Sequence, residues 1–231
     1  MLDLRHPVRG LFVKLPSTDV VEIAAASGLD FLVLDLEHSQ LTDGDAFRLL
    51  VHARALGFPS LVRIPGLDLG LVNRLLEAGA AGIQLSMVKR VAHVEELRAA
   101  CRYAPHGRRS VSLGHHAAGY GAHSLGDYLT AQGPGPLVVA QIETATTDDA
   151  LDDIAAARPD VLFIGRTDLT ADLGLDTDKV AARVEEIAAA AQRAGVPLGA
   201  VAWDDPRVRY RIVGTDLGLL RAAVLDAGRT D

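Results

Sequence analysis

Three short segments carry the residues that could do chemistry: Leu34-Asp35-Leu36-Glu37-His38, Gln141-Ile142-Glu143-Thr144 and Phe163-Ile164-Gly165-Arg166-Thr167-Asp168-Leu169. Each is an apolar run that stops abruptly at carboxylates, in one case with a histidine alongside. A strand buried on both faces of a parallel sheet reads as a continuous apolar run. Acids at its C-terminal end then sit at the mouth of the sheet, where α/β proteins keep their chemistry. Three such endings predict a divalent-metal carboxylate site with an imidazole beside it. In the first, a carboxylate of Asp35 or Glu37 could fix the tautomer of His38 and raise its basicity; a helix cap or surface salt bridge would use the same residues. Glu143 and Asp168, from two other strand ends, could bring two oxygens to one point, and Mg2+-type ions complete such sites with water and substrate oxygens. Arg63, in Leu61-Val62-Arg63-Ile64-Pro65, suits bidentate recognition of a carboxylate or a developing oxyanion. An arginine in an apolar strand also needs a partner, so a structural ion pair competes.

These residues need a scaffold, and the pattern along the chain supplies one. Short apolar runs at Val8–Val13, Phe31–Asp35, Ser60–Ile64, Gly82–Leu85, Leu137–Ile142, Val161–Ile164, Leu198–Val201 and Ile212–Leu217 read as strands. Helical stretches lie between them: Ala46, Leu49, Leu50 and Ala53 share one face, as do Val180, Val184, Ile187 and Ala191. Thr42 with Asp45 has the spacing of a capping box, and Gly57, Gly79 and Gly195 stand where helices should stop. Eight strands alternating with helices predict a (β/α)8 TIM barrel, as a single domain over residues 1–231. An open doubly wound sheet is the alternative, but the first strand runs into Lys14-Leu15-Pro16-Ser17 rather than a Gly-x-Gly-x-x-Gly turn. The segment from Gly107 to Gly135 shows no strong strand and reads as a candidate lid or interface loop.

Bulk properties exclude several classes. The net charge of −7, with Arg108-Arg109 too short to count as a basic patch, argues against a nucleic-acid surface. A single cysteine, Cys101, forbids an internal disulfide, and its place in a helical pattern suits a small buried side chain. The N-terminus lacks the apolar core of a signal peptide, and no run approaches the roughly 20 apolar residues that cross a bilayer. A soluble, cytoplasmic protein is the expectation.

Taken in order, the motifs resemble those of the HpcH/HpaI family of class II pyruvate aldolases, which includes 2,4-dihydroxyhept-2-ene-1,7-dioate aldolase and 2-keto-3-deoxy acid aldolases. The resemblance rests on Gly10-Leu11-Phe12-Val13-Lys14-Leu15-Pro16, Asp35-Leu36-Glu37-His38, Val62-Arg63-Ile64-Pro65, Leu76-Glu77-Ala78-Gly79-Ala80-Ala81-Gly82, Tyr103-Ala104-Pro105-His106-Gly107-Arg108-Arg109, Gln141-Ile142-Glu143 and Ile164-Gly165-Arg166-Thr167-Asp168-Leu169. It implies a barrel of the phosphoenolpyruvate/pyruvate superfamily that binds a divalent metal (Mg2+, Mn2+ or Co2+) through Glu143 and Asp168. It further implies a keto acid that chelates the metal, Arg63 on the carbonyl oxygen, and His38 assisted by Asp35 on the proton of the 4-hydroxyl. Gln141 and Gly165 would border the keto acid, and no lysine would form a Schiff base; Lys89 and Lys179 both fall in expected helical segments.

The departures from the family pattern are Ser86 in place of a proline, Glu77 in place of an aspartate, Gly107-Arg108-Arg109-Ser110, His115-His116 where an arginine is customary, and Arg166 next to Asp168. They concentrate where a second substrate would bind, so Ser86, Glu77, His116, Arg166 and Thr167 are candidate substrate contacts. His6, His52 and His93 read as surface or helix positions. The implied reaction is aldol cleavage or formation between a 2-keto acid and an aldehyde or oxo-acid acceptor. A citrate-forming synthase, a CoA-thioester lyase and a non-catalytic ligand-binding barrel are the alternatives. Relatives form trimer-based hexamers, so a homo-oligomer is expected; the short C-terminal helix leaves helix exchange between subunits open.

Overall fold

The computed structural model describes residues 2–133 and 135–229; Met1, Pro134, Thr230 and Asp231, which the single-domain expectation also spans, lie outside the described residues. Eight parallel strands pair in chain order and close into a barrel, the eighth against the first. They are β1 Val8–Val13, β2 Phe31–Asp35, β3 Ser60–Ile64, β4 Gly82–Leu85, β5 Leu137–Ile142, β6 Val161–Ile164, β7 Leu198–Val201 and β8 Val208–Thr215. The helices between them are α1 Thr18–Ala26, α2 Asp43–Ala55, α3 Leu69–Ala78, α4 Val91–Cys101, α5 Leu125–Ala131, α6 Leu151–Ala156, α7 Arg166–Asp172, α8 Thr177–Ala194 and α9 Asp216–Ala227.

Seven strands have the bounds expected from the sequence; β8 does not. It starts at Val208 because Tyr210 and Ile212 fill the barrel, while Arg209 and Arg211 stand on the outer face and break the apolar run. It stops at Thr215, whose hydroxyl accepts the Gly218 N–H, so Asp216 and Leu217 open α9 instead. Lys89 also departs from expectation. It lies in the loop before α4, where its carbonyl accepts the N–H groups of Asp148 and Asp149. The helical period begins only with Val91, Val94 and Leu97; Lys179 is in α8 as expected.

Local chemistry explains the helix bounds. The Thr42 hydroxyl accepts the Asp45 N–H while the Asp45 carboxylate accepts the Thr42 N–H, closing the capping box of α2. Gly79 and Gly195 end α3 and α8 at φ of 113° and 66°, a left-handed cap that L side chains avoid. Among the described residues, the segment 107–135 holds a short 3-10 turn, His116–Gly121, and α5, but no strand. Cys101 is buried in α4, and burial pushes its thiol up to about 12, which leaves it protonated and unreactive at neutral pH. No helix among the described residues is long and apolar enough to cross a membrane.

Side chains alternate along each strand. One set, including Leu34, Ile64, Ile142 and Ile164, packs outward against the helices. The other fills the barrel with Val8, Phe12, Phe31, Val33, Leu61, Val139, Phe163 and Tyr210, with Phe31 and Tyr210 rings 4.5 Å apart. Each such side chain stabilises the fold by roughly 1.5–3 kcal/mol when fully buried. Gly10 is required by this packing, because a Cβ there would lie 2.4 Å from the Phe31 ring.

Candidate active site

The polar layer at the barrel mouth continues the inward alternation by one step. Two residues beyond Phe12 stands Lys14; beyond Val33, Asp35; beyond Leu61, Arg63; beyond Gly82, Gln84; beyond Val139, Gln141 and then Glu143; beyond Phe163, Gly165. Apolar strands thus deliver polar groups to one place, at the C-terminal ends where the loops leave the sheet.

Asp35 and Arg63 are direct partners in the β2–β3 register. Arg63 Nε donates to Asp35 Oδ1 at 2.9 Å and Nη2 to Oδ2 at 2.7 Å. Lys14 Nζ lies 3.1 Å from Asp35 Oδ2, and Arg63 Nη1 lies 3.2 Å from Glu37 Oε2. Burial would raise the pKa of Asp35; the Arg63 and Lys14 charges with the His38 N–H outweigh it and bring the group down to about 2. The expected link from Asp35 to the His38 ring is absent. Asp35 Oδ1 instead accepts the backbone N–H groups of Glu37 and His38, both at 3.1 Å. The ring itself is half exposed, with Nε2 3.8 Å from Glu37 Oε2 and 3.9 Å from Asp168 Oδ2.

Glu143 is buried on the opposite side of the mouth. Its Oε1 accepts the Met87 N–H at 2.7 Å and its Oε2 accepts the Gln141 side-chain amide. Gln141 Oε1 in turn accepts from Gln84 Nε2 at 2.6 Å, leaving the buried Gln84 Oε1 with no partner. Burial, followed by the neighbouring charges of Glu37 and Asp168, holds Glu143 above the usual carboxylate range despite its two donors. Gly165 lies against this carboxylate: a Cβ there would be 2.6 Å from both Glu143 Cβ and Oε2. Ser86 donates its hydroxyl to Glu37 Oε2.

The structure therefore brings Asp35, His38, Arg63, Ser86, Gln141, Glu143, Gly165 and Asp168 together. Of the four other expected contacts, Arg166 and Glu77 lie elsewhere. Arg166 and Thr167 are exposed in the first turn of α7, and Arg166 lines a separate groove with Thr170, Val180, Val184 and Trp203. A helix turns about 100° per residue, so Arg166 and Asp168 leave α7 in different directions. Glu77 sits in the last turn of α3, the end remote from the mouth, and accepts from Asn73 Nδ2 at 3.2 Å. The ring of His116 packs edge-on against Tyr120. Lys14 and Gln84 are the additions, and Glu37, read from the sequence as an acid beside His38, also pairs with Arg63 and Ser86. Lys14 and Gln84 were detectable in principle, since each extends the inward parity of its own strand.

No three His, Cys, Asp or Glu side chains among the described residues form a ready-made ligand cluster. The donor set nonetheless fits a hard divalent cation that keeps water and substrate oxygens. Four carboxyl groups, Asp35, Glu37, Glu143 and Asp168, share a partly buried mouth with two basic side chains, Lys14 and Arg63. Glu143 is also pre-oriented by two donors, and each of its oxygens retains a lone pair.

A family model described as HpcH/HpaI aldolase/citrate lyase matches residues 9–212. A hydroxypyruvate/pyruvate aldolase from Paraburkholderia phytofirmans is 34% identical over 212 residues, covering 86% of this chain and 80% of that protein. Among solved structures, an HpcH/HpaI aldolase/citrate lyase family protein from Burkholderia cenocepacia superposes with a TM-score of 0.86 at 30% identity, covering 97% of this chain and 95% of that one. Citrate synthase SbnG superposes at 0.83 with 27% identity, over 96% and 91% of the two chains.

Proposed function

The chain belongs to the HpcH/HpaI aldolase/citrate lyase family, and from that premise we propose that it is a metal-dependent aldolase acting on 4-hydroxy-2-oxo acids through a pyruvate enolate. The observation that supports this reading is the meeting of carboxyl groups at His38: Glu37 and Asp168 both approach its ring, their charges act on Glu143, and Glu37 also pairs with Arg63, the partner of Asp35. Glu143 and Asp168 are the groups that would hold Mg2+, Mn2+ or Co2+. A divalent cation supplies Lewis acidity that stabilises negative charge on the keto-acid oxygens as the carbon–carbon bond breaks.

The chain's own residues do the rest. Arg63 commits two of its five N–H donors to Asp35 and sets Nη1 3.2 Å from Glu37, leaving N–H groups to donate to the carbonyl oxygen as it gains charge. His38 Nε2 takes the proton from the C4 hydroxyl; the C3–C4 electrons stay with C3, giving the enolate, and the aldehyde leaves. Returning a proton to C3 yields pyruvate, and the reverse order gives aldol addition. Asp35 serves this step by holding the His38 backbone rather than its ring. Gln141 fixes the Glu143 carboxylate and borders the keto acid, and Gly165 leaves room beside it.

A second use of the same enolate, addition to an oxo-acid acceptor, is supported by the likeness to citrate synthase SbnG. We further propose a homo-oligomer, because α9 leaves Leu219, Leu220 and Val224 each at least half exposed, an apolar face that a partner subunit would cover.

The test is exchange of pyruvate methyl protons in D2O, followed by NMR with each metal, for wild type and Glu143→Ala. Exchange that requires metal and disappears in the variant supports the enolate mechanism. Folded protein that exchanges no protons with any metal would count against pyruvate as the nucleophile.

A further inference from the structure

We propose that Lys14 is a positioning residue for His38, locked in place by Asp216 at the start of the C-terminal helix; the inference rests on the catalytic reading of His38 above. The geometry is a clamp on both sides of one residue. The His38 N–H donates to Asp35 Oδ1 at 3.1 Å, and the His38 carbonyl accepts from Lys14 Nζ at 2.8 Å. Lys14 also reaches Asp35 Oδ2 at 3.1 Å, so one ammonium group ties together the two halves of the clamp. The imidazole is half exposed and has only the 3.8 and 3.9 Å approaches to Glu37 and Asp168. Its orientation is therefore set by the backbone beneath it.

Lys14 stands just beyond β1, and its own backbone is fixed from across the barrel seam. Asp216 Oδ2 accepts the N–H groups of both Lys14 and Leu15 at 2.9 Å, while Oδ1 accepts the Leu217 N–H at 2.7 Å. Asp216 is the one buried residue of α9. Such a carboxylate with three backbone donors is a rigid anchor rather than a surface cap. A continuous chain of contacts thus runs from α9 through Asp216 and Lys14 to His38. Lys14 serves as a donor to a carbonyl and a carboxylate.

The experiment compares wild type, Lys14→Met, Lys14→Arg and Asp216→Asn. Its first readout is amide hydrogen exchange of the peptide spanning 36–40, measured by mass spectrometry; its second is the kinetics of aldol cleavage. Lys14→Met is expected to speed exchange in that peptide while the rest of the barrel stays protected. It should lower kcat roughly 10- to 100-fold with KM for the keto acid within about two-fold, the split expected when orientation rather than binding is lost. Lys14→Arg should restore most of kcat, and Asp216→Asn should loosen both the 36–40 peptide and the start of α9. Unchanged exchange in Lys14→Met, or faster exchange with unchanged kcat, overturns the proposal. A rise in exchange across the whole barrel, with kcat and KM both impaired, also overturns it, since that reports general destabilisation. If wild type lacks aldol and enolisation activity while Lys14→Met still loosens the 36–40 peptide, the catalytic reading fails and only the clamp survives.

Discussion

Arg63 grips Asp35 through two parallel hydrogen bonds, at 2.9 and 2.7 Å, between residues that stand side by side at the ends of β2 and β3. Asp35 is fully buried, so removing Arg63 takes away its two-pronged partner and leaves the carboxylate to Lys14 and two backbone N–H groups. Arg63→Met is expected to destabilise the fold by about 3 kcal/mol in urea denaturation. Arg63→Lys should cost less, since Lys keeps the charge and loses the fork. Both should lower kcat by about 100-fold or more if an N–H of Arg63 meets the developing oxyanion.

Acid stability follows from the same pair. The Asp35 pKa falls from 3.8 to about 2 on folding. A carboxylate depressed in the folded state contributes stability that is present above its unfolded value and lost as pH falls through its folded value. The contribution is about 2 kcal/mol, and unfolding experiments between pH 4 and pH 2 should show it disappearing. In Asp35→Asn that part of the slope should be missing.

Glu143 behaves in the opposite sense, because burial and the charges of Glu37 and Asp168 disfavour its ionised form. In metal-free protein, Glu143→Gln should therefore raise the melting temperature. The new amide can be accommodated if Gln141 and Gln84 each flip, which would turn the orphaned Gln84 oxygen toward a donor. Calorimetric titration with Mn2+ should show affinity reduced by more than roughly 100-fold. A lower melting temperature with metal binding retained would refute this account.

Gly165→Ala tests the space beside that carboxylate. Its φ of −86° suits any residue, so the constraint is the 2.6 Å approach to Glu143. Overpacking of this kind costs about 1–3 kcal/mol. Thermal unfolding should show the loss, and metal affinity should fall with it as the Glu143 carboxylate is pushed aside.

The apolar face of α9 predicts self-association. Sedimentation of wild type should show an oligomer, and Val224→Asp, at a position 61% exposed in the single chain, should shift it to smaller species while circular dichroism stays unchanged. A wild-type monomer at micromolar concentration would rule out this use of α9.

The fold was legible because a closed parallel barrel hides both faces of each strand, so its apolar runs stand out; β8 was misplaced where Arg209 and Arg211 interrupt the run. The acids at the mouth were legible for the same reason, as abrupt ends of those runs. The partnership of Asp35 was not. Sequence proximity suggested the His38 ring, whereas strand pairing delivered Arg63 from 28 residues away and Lys14 from β1. Arg166 was placed near Asp168 by proximity in sequence, but two residues along a helix, about 200°, send them in nearly opposite directions. Glu77 was read from its motif alone, although Gly79 two residues on, a helix stop, already put it in the last turn of α3 and so away from the mouth.

The pairing of β1 with β8, joined by the bonds from Lys14 and Leu15 to Asp216, has a consequence for the order of synthesis. The first strand to leave the ribosome can find its second neighbour only after the last strand has emerged. The His38 loop is therefore completed by the final part of the barrel to be made. A nascent chain stalled before residue 208 would carry every proposed metal and proton-transfer residue and still lack the Asp216 anchor of the Lys14 backbone.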